Sequence, residues 1–534
     1  MTPLALRRFA FVAAAALSVS IAGDAHQVRD PGGAGGRGRL SGIITSNDTP
    51  VWQATVSLTG ATWRRLTATT DPHGRFTFTG VPPDVYVLTA SKQDYLDAAY
   101  GATRSISRGG MATGVALAAG QRIDRLALQL TRGGAISGVV REDGRPAAET
   151  MVTVAPRDRA GIAGMDRTNA AGAFRIAGLP RGDYDVIAYP AKDGVPVYYP
   201  GVTHPTRAEP VHVEENAADL HVELALVAAS PVRVSGIVRD AQGGLAGGAH
   251  LSAMSRTGPL LQATTAPNGR FVLDRVPPGR YRLDVRAPSG SAAGRRASTP
   301  IARGGWAIAE IDVGDKAVTG LELRLQPHLI FSGRVAFDRR QSAAPVDLAT
   351  IRVFLTRPGF HPAEITVDAD GSFVHAVAPG LHLVSAIASG STMRLRSALA
   401  GDRDLLDSPP AFEASTGDMT GVVLTFTDRE TVIAGRVLDA VDAPAPACYV
   451  VVFPADRALW NEHSRRLTIT RPSTDGRFVI RDLPPGDYLV LAVCDLEPGS
   501  WWTADVLSRF APAATAVRIG EDGRTVQDLR IRGR

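Results

Sequence analysis

The sequence predicts an all-β protein: five tandem small antiparallel β-sandwich domains. Four recurring features carry the prediction. A Ser/Ala-Gly opening recurs at Gly42, Gly138, Gly236, Gly333 and Gly435, and a Gly-x-Phe turn follows each at Gly74, Gly172, Gly269, Gly371 and Gly476. A proline-led step into a tyrosine, then a closing run of alternating leucines, ends most copies. The spacing of about a hundred residues suits a complete small domain and is too long for a solenoid unit.

The first copy shows the elements in order. Leu40-Ser-Gly42-Ile-Ile opens a strand, and Ala54-Thr-Val56-Ser-Leu58, Phe76-Thr-Phe78 and Tyr86-Val-Leu88-Thr-Ala90 alternate as half-buried strands. Between the second and third, Thr70-Asp71-Pro72-His73-Gly74 reads as a hairpin turn, because Asp bonds the backbone ahead of it and Gly supplies a positive φ. Pro82-Pro83 ends a strand, since consecutive prolines cannot donate to a central ladder. Val115-x-Leu117 and Leu126-x-Leu128-x-Leu130 then alternate again. Short strands without an amphipathic helix indicate a sandwich.

The later copies repeat these marks, as in Asn169-Ala-Ala-Gly172-Ala-Phe174, Asn268-Gly269-Arg-Phe271 and Asp475-Gly476-Arg-Phe478. The fourth diverges, with Pro379-Gly380-Leu-His382 where the others have the tyrosine step. The expected boundaries are a signal peptide over 1–25, a glycine-rich linker over 26–37, and sandwiches over 38–131, 132–229, 230–327, 328–428 and 429–534. Each closing strand runs almost directly into the next opening strand, as in Leu130-Thr-Arg-Gly-Gly-Ala-Ile-Ser-Gly138. Five modules in file predict a rod well over about 100 Å long.

Residues 1–25 carry Arg7-Arg8 and then an apolar run from Phe9 to Ala22, with Gly23 and Ala25 suited to a signal peptidase. The mature chain is therefore expected outside the cytoplasm, in the periplasm, at the cell surface or beyond it. No later stretch is long and apolar enough for a transmembrane helix. The net charge of +5 is spread among interspersed arginines and carboxylates, which argues against a nucleic-acid partner. Cys448 and Cys494 both fall in the fifth copy. Period-two alternation puts each on the face of apolar neighbours, so they form either one buried disulfide or two buried thiols, and an oxidising compartment favours the bridge.

Taken together, Gly-x-Val, Thr-Asp-x-x-Gly-x-Phe and Leu-Pro-Pro-Gly-x-Tyr resemble the bacterial carboxypeptidase regulatory-like domain, over nearly all of the mature chain. The resemblance implies a transthyretin-like sandwich, grouped with carbohydrate-binding-like folds. It says little about activity, because its motifs are turn glycines, prolines and core aromatics.

His361-Pro-Ala-Glu364 matches the His-x-x-Glu pair of zinc carboxypeptidases, but it lies inside a small sandwich with no third ligand in the expected surroundings. It is read as coincidence. Asp368-Ala-Asp370-Gly371 is this copy's turn, without the glutamate that completes a calcium loop. Isopeptide chemistry of the kind found in Gram-positive adhesins is excluded, because the opening strands carry no lysine. No metal and no cofactor are expected.

The remaining candidates are aromatic. Trp501-Trp502 and Tyr198-Tyr199 occupy comparable insertions beyond the tyrosine strand of two copies, where flat rings could stack on sugars or anchor a protein. The competing reading is that each packs over its own domain. Trp52, Trp63, Trp306 and Trp460 recur at no shared position. The functional expectation is a non-enzymatic exported protein acting in adhesion, scaffolding or protein interaction, with an unknown protein or polysaccharide as partner. Carbohydrate binding through Trp501, Trp502, Tyr198 and Tyr199 ranks second, and a zinc hydrolase at His361 and Glu364 ranks last.

Overall fold

A computed structural model describes residues 36–531, apart from 62–64, 103–110, 160, 191–194, 217–218, 228–229, 257–259, 288–303, 341–345, 359–361, 414–416, 462 and 497–500. The expected signal segment and most of the glycine-rich linker lie outside the described residues. So does His361, the first half of the coincidental zinc pair.

Each repeat builds two facing sheets. In the first, the opening strand Gly38–Ser46 is central, antiparallel to Arg75–Val81 on one side and parallel to the closing strand Arg122–Gln129 on the other. The same trio recurs as Gly134–Glu142 with Ala173–Leu179 and Leu220–Leu226, and as Val232–Arg239 with Arg270–Val276 and Val318–Arg324. Leu329–Asp338 with Ser372–Val377 and Met419–Thr427 repeats it, as does Thr431–Leu438 with Arg477–Arg481 and Gly523–Val526. The sandwiches are thus antiparallel except where the chain returns beside its own start. That pairing is parallel because both strands run in the same direction after a long connection.

The second sheet of the first repeat orders Arg65–Thr69, Thr55–Thr59, Asp84–Ser91 and then Ala98–Ala99 or Val115–Leu117. Arg65–Thr69 is an edge strand that the hydrophobic alternation did not mark, because its side chains are only half covered. Its presence changes the role of the Asp71–Gly74 turn, which passes from one sheet to the other instead of closing a hairpin. Its chemistry is as expected: Asp71 Oδ1 accepts from the amides of His73 at 2.9 Å and Arg75 at 2.8 Å, and Gly74 has φ +70°.

The recurring motifs meet in space. Gly42 is paired across the ladder with Phe76, Gly138 with Phe174, Gly236 with Phe271, Gly333 with Phe373 and Gly435 with Phe478. A Cβ on Gly42 would sit 2.7 Å from Phe76 Cζ and would collide with the Leu126 carbonyl oxygen of the parallel closing strand. The other opening glycines meet the same two obstacles. Glycine is therefore required there because a ring and a backbone occupy the Cβ position.

The proline-tyrosine step also closes on itself. The hydroxyls of Tyr86, Tyr184 and Tyr488 donate to the carbonyls of Pro82, Pro180 and Pro484 at 2.8, 2.6 and 2.6 Å, so each buried ring keeps its polar end satisfied. In the divergent fourth repeat His382 takes the position, with Nδ1 3.0 Å from the Gly380 carbonyl and its ring edge-on to Phe412. There the two sheets also join, because Arg394–Ala400 pairs with the closing strand Met419–Thr427.

Separate apolar cores form within residues 40–130, 136–224, 234–325 and 329–426, and a fifth begins at Ile433 and ends at Leu529. The fifth repeat adds a short helix, Ala504–Phe510, whose Leu507 is buried in a second apolar layer on the outer side of its sheet. Among the described residues no helix is long and apolar enough to cross a membrane.

Candidate functional site

The aromatic loops are placed differently from one another. In the second repeat Tyr198 is 3% exposed and packs with Ile187 and Ala208 on the outer side of the second sheet. Tyr199 is half-buried against the core of the same repeat. In the fifth, Trp501 is 7% exposed and joins Phe453, Trp460, Leu491 and Leu507. Exposure of all four rings is thus not realised. The tyrosine strands present Ile187 in one case and Leu489, Leu491 and Val493 in the other on the face away from their own cores, and that apolar face takes up the rings. Trp502 differs: it is 42% exposed, with its ring centroid 5.1 Å from that of Trp501.

Cys448 and Cys494 are joined by a disulfide at the end of the ladder between Tyr449–Pro454 and Gly486–Val493. Cys448 is buried, whereas Cys494, just beyond its strand, is exposed. The period-two pattern stops with the strand, so Cys494 does not share the burial of Tyr488 and Val490. Glu364 forms an ion pair with Arg352 at 2.9 Å, and among the described residues no group of three His, Cys, Asp or Glu could hold a metal ion.

The most strongly built sites lie between repeats. Asp185, on the tyrosine strand of the second repeat, points away from its own core, yet its side chain is fully buried. It accepts from Arg157 Nε at 2.6 Å and from Arg256 of the third repeat, which also reaches the Pro156 carbonyl at 3.2 Å. His204 and Asp312 add a second link between the same repeats at 2.8 Å. The device recurs one step along. Asp284 of the third repeat takes Arg286 at 3.1 Å and the buried Arg357 of the fourth. Burial draws the Arg357 guanidinium below its ordinary pKa, and Asp284 opposes that shift.

Arg157, Arg256 and Arg357 all follow the second strand of their repeats, after Met151–Pro156, His250–Met254 and Ile351–Thr356. That recurrence was the sequence signal for the junctions. It was missed because an arginine after a strand reads as solvated unless its partner repeat is known.

The first and second repeats meet through Arg175, held by Asp94 at 2.9 Å and Asp219 at 2.8 Å. The fourth and fifth meet through a network: Asp407 takes Arg466 at 2.8 Å and Arg465 at 3.3 Å, Asp404 takes Arg465 at 2.7 Å, and Arg340 reaches Asp522 at 2.9 Å.

The fifth repeat also touches the first. The Thr474 amide donates to the Gly114 carbonyl at 2.8 Å, the Ala116 amide donates to Thr474 Oγ1 at 3.0 Å, and Thr113 Oγ1 donates to the Pro446 carbonyl at 3.3 Å. Arg471 reaches the Gly101 carbonyl, the Met111 carbonyl at 3.4 Å and the Ala447 carbonyl at 2.9 Å, with its guanidinium 4.8 Å over the Tyr449 ring. The succession of contacts therefore closes from the fifth repeat back to the first. An open rod does not form, because the fifth repeat returns to the first and, in the second and third repeats, the outer face of the second sheet receives an arginine of the next repeat.

Comparison with known proteins finds one matching family. The carboxypeptidase regulatory-like domain family matches residues 39–131 and 233–326. No curated protein matches the chain. Among solved structures, the Bacillus anthracis TIE protein aligns over 72% of this chain and 68% of its own at 13% identity, with a TM-score of 0.15. A streptococcal ancillary pilin aligns over 54% and 99% at 10% identity, TM-score 0.20, and the major pilin subunit BcpA of Bacillus cereus over 54% and 100% at 12%, TM-score 0.14. The first and third repeats share with the other three the central opening strand, the glycine-phenylalanine pair and the parallel closing strand. The chain is thus an all-β tandem-repeat protein, and two of its repeats, at residues 39–131 and 233–326, match the carboxypeptidase regulatory-like domain family.

Proposed function

We propose that this is a non-enzymatic exported protein whose repeats form a fixed scaffold for adhesion or protein interaction in the cell envelope. One observation carries the reading: buried carboxylates bridge successive repeats, Asp185 to Arg256 and Asp284 to Arg357. Buried pairs of this kind specify one relative placement, because a misplaced neighbour leaves an unpaired charge out of water. A chain that fixes its modules relative to one another presents a defined surface, as a scaffold requires. Export rests on residues 1–25. We further propose sandwich boundaries at 38–131, 132–229, 230–327, 328–428 and 429–534, supported by apolar cores that each stay within one segment.

The test is cross-linking in the producing cells, followed by isolation of the tagged chain. A stoichiometric envelope protein or polymer on the chain supports the reading. Turnover of a peptide or glycan by the purified chain overturns it.

Trp502 supports a second reading, polysaccharide binding. Its ring is open to solvent and backed by the buried Trp501, so a stacking platform there is already held in place. Electrophoresis in polysaccharide-containing gels tests it: retardation that Trp502→Ala abolishes supports binding, and equal mobility across the gels removes it.

A further inference from the structure

Part of the contact that closes the fifth repeat onto the first rests on the short stretch from Pro446 to Tyr449, beside the separate contacts of Thr474 with Gly114 and Ala116. Pro446 offers its carbonyl to Thr113, Ala447 offers its carbonyl to Arg471, and Tyr449 lies under the Arg471 guanidinium. Between them stands Cys448, tied to Cys494. Upstream, this stretch is anchored by the Ala445 amide on Val437 at 3.0 Å and by a long Cys448 to Ala445 bond of 3.3 Å. The regular ladder with Gly486–Val493 begins only at Tyr449. The disulfide is the covalent link that holds the segment before the ladder against the neighbouring strand.

Arg471 itself leaves the edge strand Thr468–Thr470 opposite this point and meets its charge with carbonyl oxygens and a ring face. Such contacts depend on the placement of backbone oxygens, which side-chain rotation cannot restore once the segment moves.

We propose that the Cys448–Cys494 disulfide is a redox-controlled clasp on the closure between the first and fifth repeats. While it is intact, Pro446, Ala447 and Tyr449 stay in position and the closure holds. An external dithiol cleaves it from the exposed Cys494 side. One reductant thiolate attacks Cys494 Sγ, Cys448 leaves as thiolate and is protonated, and the second reductant thiol then displaces Cys494. Two electrons pass to the protein, two cysteine thiols result, and the reductant is left as its own disulfide. The fifth sandwich keeps its fold, because Val450, Val452, Tyr488 and Val490 remain buried in a ladder that does not need the bridge. The closure opens because the remaining grip is a few hydrogen bonds.

Amide hydrogen exchange on the full mature chain, with and without dithiothreitol, reads this directly. The amides of Thr474 and Ala116 are the reporters, since each donates across the closure. Reduction is expected to raise their exchange roughly tenfold or more while Tyr449–Pro454 and Gly486–Val493 stay protected. Thr474→Val, which removes the hydroxyl acceptor and keeps the bulk, is expected to raise Ala116 exchange in the oxidised protein. Unchanged exchange at Thr474 and Ala116 on reduction overturns the proposal. So does loss of protection throughout both ladder strands, which would make the bridge a support of the fold, and so does a Thr474→Val protein whose Ala116 exchanges as slowly as wild type.

Discussion

Asp185 and Arg256 lie in different repeats, yet the carboxylate of one is completed by the guanidinium of the other. Asp185 is fully buried and also takes Arg157 at 2.6 Å, so two cations share one anion at the boundary. Asp185→Ala would leave both arginines without their carboxylate. Because the arginine side chains are partly exposed, water offsets part of the loss, and we expect a cost of about 2 kcal/mol. A lower urea midpoint, with earlier exposure of the second and third repeats, is the expected result. Arg256→Ala, which leaves Arg157 on the carboxylate, should cost less.

The opening glycines give a sharper packing test. At Gly236 a Cβ would lie 2.7 Å from Phe271 Cε1 and would strike the Leu321 carbonyl oxygen. Gly236→Ala should destabilise the third repeat by about 2–3 kcal/mol through overpacking. Gly314, with nothing within 4 Å of its Cβ position, supplies the control, and Gly314→Ala should be nearly neutral. Denaturant unfolding of the two variants separates steric need from glycine content.

The tyrosine step makes a hydrogen-bond prediction. Tyr184→Phe keeps the buried ring and deletes the donor to the Pro180 carbonyl, for an expected loss of about 1 kcal/mol. Burial pushes the Tyr488 phenol up to about 12, outweighing the opposing pull of Arg466. Its folded-state pKa is raised, so stability is lost as pH climbs above the unfolded value of about 10. Burial also raises Tyr281 and Tyr189, so ultraviolet titration should show several phenols that resist ionisation near pH 11, and Tyr488→Phe should lower their number by one.

Acid should act on the third and fourth repeats. Burial first, then His328, Arg286 and His382, hold His375 down at about 4, while His328 and His382 are also lowered by burial. Their folded-state pKa values lie below the unfolded value of about 6.5, so the unfolded chain binds more protons in between and stability falls as pH drops from about 6.5 towards 4. Calorimetry from pH 7 to pH 4 should show a falling Tm for this part of the chain. His375→Asn should flatten that dependence, and an unchanged slope would remove His375 from the explanation.

The recurrence of Gly42, Gly74 and Tyr86 in later copies determined the fold class and the number of repeats. Each of these residues answers to a short-range requirement: a Cβ excluded by a paired ring, a positive φ, a hydroxyl returning four residues to a proline carbonyl. Such requirements repeat wherever the local structure repeats, so one sequence displays them. The edge strand Arg65–Thr69 escaped because its alternation is short and shallow: only Leu66 and Ala68 turn inward, and both are only partly covered. Only the tertiary structure decided that Tyr198 and Trp501 are buried while Trp502 is open, that Cys494 is exposed, and that Asp185 meets Arg256 and Arg471 meets the first repeat. The physical reason is common to all of these. Burial of an outward-facing side chain depends on what another segment brings to that face, and the alternation of a strand reports only which side of its own sheet a residue occupies.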